Sequence, residues 1–264
     1  MTTTLAVANQ KGGVAKTTSV ASVGAALAEL GHRVLLVDLD PQACLTFSLG
    51  IDPENVETSI YHVLTQGADA AETVIATEDG VDLLPATIEL ARAEADLLTR
   101  TGREHVVKMV VEELEDDYDW VLLDCPPSLG VLTVAALTAA TGVLVPLQCE
   151  TLSHRGVGQL LDTVHDVRRF TNRKLEVWGV LPTLFDGRTT HARTVLETIS
   201  ETYSLEVIEP PIPKTIKFAE APAAGRSILA TSRTSKGAQA YREVAANLVA
   251  RAARPRGRAR RAKA

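Results

Sequence analysis

Residues 10–18, Gln-Lys-Gly-Gly-Val-Ala-Lys-Thr-Thr, have the make-up of an anion cradle. They follow a short apolar run at residues 5–8 and open a helical pattern at residues 18–30. A strand, a glycine turn and a helix N-terminus in that order aim successive backbone N–H groups at one point. The helix dipole adds about half a positive charge there. Lys16 can reach terminal phosphates and the Thr17 hydroxyl can ligate Mg²⁺. The general Gly-x4-Gly-Lys-Ser/Thr loop does not fit, because Gln10 and Ala15 stand where its glycines belong. Lys-Gly-Gly-x-x-Lys-Thr does fit, and it places an extra lysine, Lys11, at the front.

Three carboxylates complete the chemistry. Asp38 ends the apolar run 34–37, Asp40 follows two residues later, and Asp124 ends the run 120–123. Mg²⁺ takes oxygen ligands and keeps several waters. The residues therefore assign Thr17 as a direct ligand and Asp124 as a ligand through water. Asp40, a short carboxylate beside the γ-phosphate, is placed to orient the attacking water.

The elements that must hold these groups alternate regularly. Apolar runs at 5–8, 34–37, 81–85, 120–123, 143–145 and 175–181 read as strands. Helical patterns at 18–30, 104–115, 131–140, 158–170, 190–203 and 234–253 separate or follow them. Continuous apolar strands between helices predict an α/β fold, a doubly wound and mostly parallel sheet with helices on both faces. In such a sheet the ligand sits at the carboxyl ends of the strands, where the loop and all three aspartates fall. No linker interrupts residues 1–250, so one domain is expected, followed by a basic, disordered tail at 251–264.

Composition narrows the class further. The 264 residues are 45% hydrophobic but only 4% aromatic, which suits an Ala/Val/Leu core. The net charge is −6, yet residues 251–264 carry seven basic and no acidic side chains, leaving −13 on the rest. An acidic body with a basic tail hints at a polyanion partner. Three cysteines, Cys44, Cys125 and Cys149, form no Cys-x-x-Cys pair and read as buried thiols of a reduced, cytoplasmic chain. No signal peptide or membrane span is expected. Asp186 reads as a turn residue.

The motifs resemble those of the ParA/Soj partition ATPases, in the wider class of MinD and the nitrogenase iron protein. The resemblance rests on Asn9-Gln10-Lys11-Gly12-Gly13, Asp38-Leu39-Asp40-Pro41-Gln42, Asp124-Cys125-Pro126-Pro127-Ser128, Gln148-Cys149-Glu150, Asp186-Gly187-Arg188-Thr189 and Phe218-Ala219-Glu220-Ala221-Pro222. It covers roughly residues 4–250. It implies a P-loop NTPase with a deviant Walker loop that hydrolyses ATP slowly and forms a face-to-face homodimer around two ATP molecules. It implies an ATP site of Lys11, Gly12, Gly13, Val14, Ala15, Lys16, Thr17 and Thr18, with Lys11, Lys16 and Asp40 catalytic and Lys11 reaching the partner's phosphates. ADP lacks the γ-phosphate, so hydrolysis loosens that clamp.

The same resemblance places adenine at Pro213 and Thr215, where Thr215 replaces the usual Asn. It places non-specific DNA contacts at Arg188 and Lys217, and it implies stimulation by a ParB-like protein and association with the nucleoid. Phosphate contacts make such binding salt-dependent, and base readout is not expected. Ala15 replaces the family's usual Gly. Were that position left-handed, Ala would cost roughly 1–2 kcal/mol, and the loop is expected to survive with altered affinity. The alternatives are an orphan ParA-like ATPase positioning a protein cargo and a MinD-like membrane-recruited one. The latter needs an amphipathic C-terminal helix, which a tail without Leu, Ile or Phe after Leu248 does not provide. A metabolic P-loop enzyme is a fourth reading.

Overall fold

The computed structural model describes residues 2–150 and 153–254. Seven strands form one sheet: β1 (Thr3–Val7), β2 (Val34–Asp38), β3 (Ile75–Ala76), β4 (Asp82–Leu84), β5 (Trp120–Asp124), β6 (Gly142–Gln148) and β7 (Glu176–Thr183). Their order is β3-β4-β2-β5-β1-β6-β7. All pairs are parallel except β3–β4 at the edge. The fold class expected from the sequence is the one found.

Alternation along each strand splits the core into two layers. Leu35, Val37, Val121 and Leu123 face one layer, packed under the helices Ile60–Gln66, Val106–Glu113, Val131–Ala139 and Ser153–Phe170. Leu5, Val7, Leu36 and Leu122 face the other, under the helices Lys16–Glu29 and Lys236–Ala252. Each fully buried Leu is worth roughly 2 kcal/mol against exposure, so both faces of the sheet need their helices.

The sheet sets the register of the site. Val7 and Asp38 both lie opposite Asp124, on either side of β5. The loop after β1 and both strand-end carboxylates therefore share one rim, at the point where strand order reverses.

Short elements without long apolar periods escaped the sequence reading. They include the helices Cys44–Ser48, Ala93–Leu98 and Lys217–Ala223, and the edge strand β3. The first and third of these are joined by glycines. A Cβ on Gly225 would lie 2.7 Å from the Gly50 Cα, and one on Gly50 would lie 3.1 Å from the Gly225 carbonyl oxygen.

The C-terminal expectation divides. Residues 255–264 lie outside the described residues. Arg251, expected in the tail, instead closes the Lys236–Ala252 helix, pairs with Glu206 at 2.5 Å and lies over the Trp178 ring.

Candidate nucleotide site

The loop between β1 and the Lys16–Glu29 helix is anchored from three directions. Asn9, 2% exposed, donates from Nδ2 to the Pro146 carbonyl at 2.7 Å and accepts the Lys11 N–H at 3.0 Å. The Thr183 hydroxyl donates to the Val14 carbonyl at 2.9 Å. The Lys16 ammonium donates to the Lys11 carbonyl at 3.3 Å. With these carbonyls held, the N–H groups of Gly12, Gly13, Val14 and Ala15 carry no hydrogen bond among the described residues. Gly13 (φ 73°) and Ala15 (φ 61°) are left-handed. Left-handed residues alternating with others curl a chain into an anion-binding nest. The position flagged in the sequence does need positive φ, so Ala15 carries the expected strain.

Lys16 is 7% exposed. Burial pushes its ammonium below the ordinary lysine range, and Asp124, Cys125 and Asp40 oppose that shift. Asp124 is fully buried, and neither of its oxygens has a hydrogen-bond partner. Burial, then the charge of Asp38, raise its carboxyl well above the usual range, with the Thr17 hydroxyl and Lys16 pulling the other way. A buried acceptor pair without donors is costly, and a cation would satisfy it.

Asp38 is equally buried but fully used. Its oxygens accept the Asp40 N–H at 3.1 Å, the Thr46 N–H at 2.9 Å and the Thr46 hydroxyl at 2.8 Å. Burial still raises its pKa to about 6. Asp38 thus fixes the turn that presents Asp40, whose own carboxylate accepts the Gln42 N–H at 3.0 Å.

Lys11 does not point into open solvent. Its ammonium pairs with Glu150 at 2.5 Å, both side chains remaining partly exposed. On the far side, the end of β7 carries a second loop: the Ile212 N–H donates to Pro182 at 2.7 Å and the Phe185 N–H to Ile212 at 2.9 Å. Pro213 bridges to Phe185, and Thr215 accepts the Lys217 N–H through its hydroxyl at 3.3 Å. Arg188 and Lys217 lie on these neighbouring segments. Each is paired at home, Arg188 in a fork with Asp186 (2.9 and 3.0 Å) and Lys217 with Glu220 (2.7 Å). That fork holds Asp186 down to about 2. Asp186 is also the turn residue expected, its carbonyl accepting the Thr189 N–H.

A family model described as an AAA domain matches residues 2–177. The sporulation initiation inhibitor protein Soj of Bacillus subtilis is 42% identical over 248 residues, covering 92% of this chain and 98% of its own. The chromosome-partitioning ATPase Soj of Thermus thermophilus is 44% identical, covering 94% and 95%. The chain belongs to the ParA/Soj family of P-loop ATPases. A Mycobacterium smegmatis structure, named cobyrinic acid a,c-diamide synthase with bound ADP and magnesium, is 55% identical with a TM-score of 0.85. It covers 94% of both chains.

Within this ParA/Soj chain, sequence reasoning missed Thr183, Thr46 and the lysine-pairing role of Glu150. The partners of Thr183 and Glu150 lie far along the chain, and Thr46 meets Asp38 across a turn that no apolar period marks. Asp38 and Asn9 carried a signal, being part of the motifs, but no role. One expectation is corrected: Cys125 and Cys149 are buried, but Cys44 is exposed, because it starts a short surface helix. All three cysteines are free. Among the described residues no group of three His, Cys, Asp or Glu could hold a metal by itself, and no helix is long and apolar enough to cross a membrane.

Proposed function

We propose that this chain is a nucleotide-gated partition ATPase: it binds MgATP, pairs with a second copy in that state, holds DNA without sequence preference, and resets by hydrolysis. The observation that carries this reading is Asp124, whose two buried oxygens lack partners at the rim shared with the β1 loop. The fit to Mg²⁺ is good, since hard oxygen donors from Thr17 and Asp124 are too few alone and phosphate oxygens and waters complete the shell. Bound there, Mg²⁺ neutralises phosphate charge.

The chain's own residues supply the rest. The N–H groups of Gly12 to Lys16 cradle the phosphates, with Thr17 and Thr18 closing the helix end of the site. Lys16, desolvated, gives its charge to the terminal phosphates, where a low dielectric makes it count. Asp40, presented by Asp38, orients the water whose oxygen attacks the γ-phosphorus as the bond to ADP breaks. Pro213 and Thr215 bound the base. Lys11 leaves Glu150 for the partner's phosphates. Partly exposed ion pairs are worth about 0–1 kcal/mol, so that exchange is cheap. Arg188 and Lys217 exchange Asp186 and Glu220 for DNA phosphates on the same terms. An activating partner of the ParB kind, and a place on the nucleoid, complete the proposal.

Size-exclusion chromatography with light scattering, in ADP, in ATP, and in ATP with Asp40→Ala, tests the switch. A dimer trapped in the last state is expected. A monomer in all three sinks it.

The name of the Mycobacterium smegmatis relative motivates a second reading, ATP-dependent amide synthesis. Taking ammonia from glutamine needs a thiolate nucleophile. Here burial raises all three thiols, Cys149 to about 11, with Asp40 and Asp38 adding to the effect at Cys44. That favours the partition reading. Amide product from cobyrinic acid, MgATP and either glutamine or ammonia would reverse the choice.

A further inference from the structure

Thr183 is a buried polar group that the proposed chemistry leaves unused. It ends β7, is fully buried, and lies 169 residues from its partner, the Val14 carbonyl. Val14 sits between the two left-handed residues of the loop, Gly13 and Ala15. An anion nest works only if its carbonyls turn away from the anion, and Thr183 holds one of them. The same strand end carries the base-side loop through Pro182 and Phe185. One short stretch of backbone therefore fixes both walls of the nucleotide site.

From this geometry we infer that Thr183 is a positioning residue for nucleotide binding, bracing the phosphate loop at a set distance from the base-side loop. The inference rests on the reading of residues 11–18 as the phosphate loop. Thr183 touches no phosphate; it acts through the Val14 carbonyl. It also accounts for a left-handed Ala where Gly costs nothing: the buried bond offsets strain of similar size.

Thr183→Val keeps the side chain's shape and removes the donor; Thr183→Ser restores the donor. The measurements are the dissociation constant of a fluorescent MgADP analogue, kcat and KM for ATP, and the nucleotide-free melting temperature. Thr183→Val should weaken MgADP about tenfold, equivalent to about 1.4 kcal/mol, and raise KM in step. Its kcat should stay within twofold. Thr183→Ser should bind within twofold of wild type. In an Ala15→Gly background, Thr183→Val should cost less than half as much in free energy, because the loop no longer needs holding against strain. A variant with a lowered melting temperature and wild-type MgADP affinity would show a merely structural hydroxyl and overturn the inference. Should Thr183→Val fail to fold, Thr183→Ala is read in the same way. If the wild-type chain itself does not bind MgADP, the phosphate-loop reading fails. If wild type binds and the variants match it, this inference alone fails.

Discussion

Around the proposed phosphate loop, Asn9, Lys16, Asp38, Asp124 and Thr183 are at most 7% exposed; Asn9 bonds to β6, Lys16 to the loop itself, and the other three end β2, β5 and β7. Past the end of β7 and in the Lys217–Ala223 helix, the Arg188 side chain is 91% exposed and that of Lys217 46%, each paired with a carboxylate on its own turn or helix. The first region has its charges desolvated and its backbone pinned. The second has charges parked on cheap partners. Desolvated groups keep their geometry and gain electrostatic strength, as a reacting phosphate requires. Parked groups can be traded for another anion at little cost, as a reversible polyanion contact requires. The proposed function thus asks for a fixed, desolvated region and an exchangeable, charged one.

The largest expected break in this contrast comes from Asp124→Asn. It replaces a buried carboxyl whose two oxygens have no hydrogen-bond partner. The free protein should melt a few degrees higher, at about 2–4 °C per kcal/mol for a chain of this size. MgADP binding, followed by calorimetry, should fall about a hundredfold, or about 2.7 kcal/mol. Opposite signs in the two measurements separate a site carboxylate from a structural one, and a loss of both would remove Asp124 from the site.

A smaller effect comes from pH. In the fold Asp38 holds its proton to about pH 6, and Asp124 is shifted upward as well. Unfolded, both release protons near pH 4. The fold therefore binds the extra protons, and nucleotide-free stability from Asp38 falls as pH rises from about 4 through 6, with the upward shift of Asp124 acting in the same direction. MgADP affinity runs the other way, since the cation needs the ionised carboxylate. Binding should strengthen several-fold between pH 5.5 and 8 and should release protons, measured by calorimetry in buffers of different ionisation enthalpy. Affinity that is flat across this range would contradict the assignment.

The smallest effects belong to the exposed end. Arg188→Ala and Lys217→Ala should each weaken DNA binding about threefold and reduce the salt slope by close to one. Neither should move the melting temperature or MgADP affinity measurably. Loss of nucleotide binding in either variant would erase the division between the two ends.

The same division governs what could be read from sequence. That residues 10–18, Asp38, Asp40 and Asp124 would gather on one rim was legible because strand, turn and helix follow one another locally, and a parallel sheet puts its strand ends together. The helix at Thr190–Tyr203 was read to the residue, its apolar period and its start after the 186–189 turn being strong. The helices Cys44–Ser48 and Lys217–Ala223 were not, since five and seven residues carry too little periodicity. Glu150 against Lys11 and Arg251 against Glu206 were illegible because such contacts exist only after the sheet is assembled. The strain at Ala15 was half legible: the substitution was visible, but the left-handed backbone and the Thr183 bond beneath it were not.

The contact between Gly50 and Gly225 has a consequence for reading variants of this chain. Both residues have positive φ and neither has room for a side chain against the other's backbone. Every substitution there pushes apart the helices that follow Asp40 and carry Lys217. A mutational scan scored only on a cellular readout would therefore rank these two glycines beside Lys16, though neither belongs to the proposed nucleotide or DNA contacts. Tolerance maps of this chain will mark the seam between these two helices as sharply as its chemistry, and a nucleotide-binding measurement on each variant separates the two.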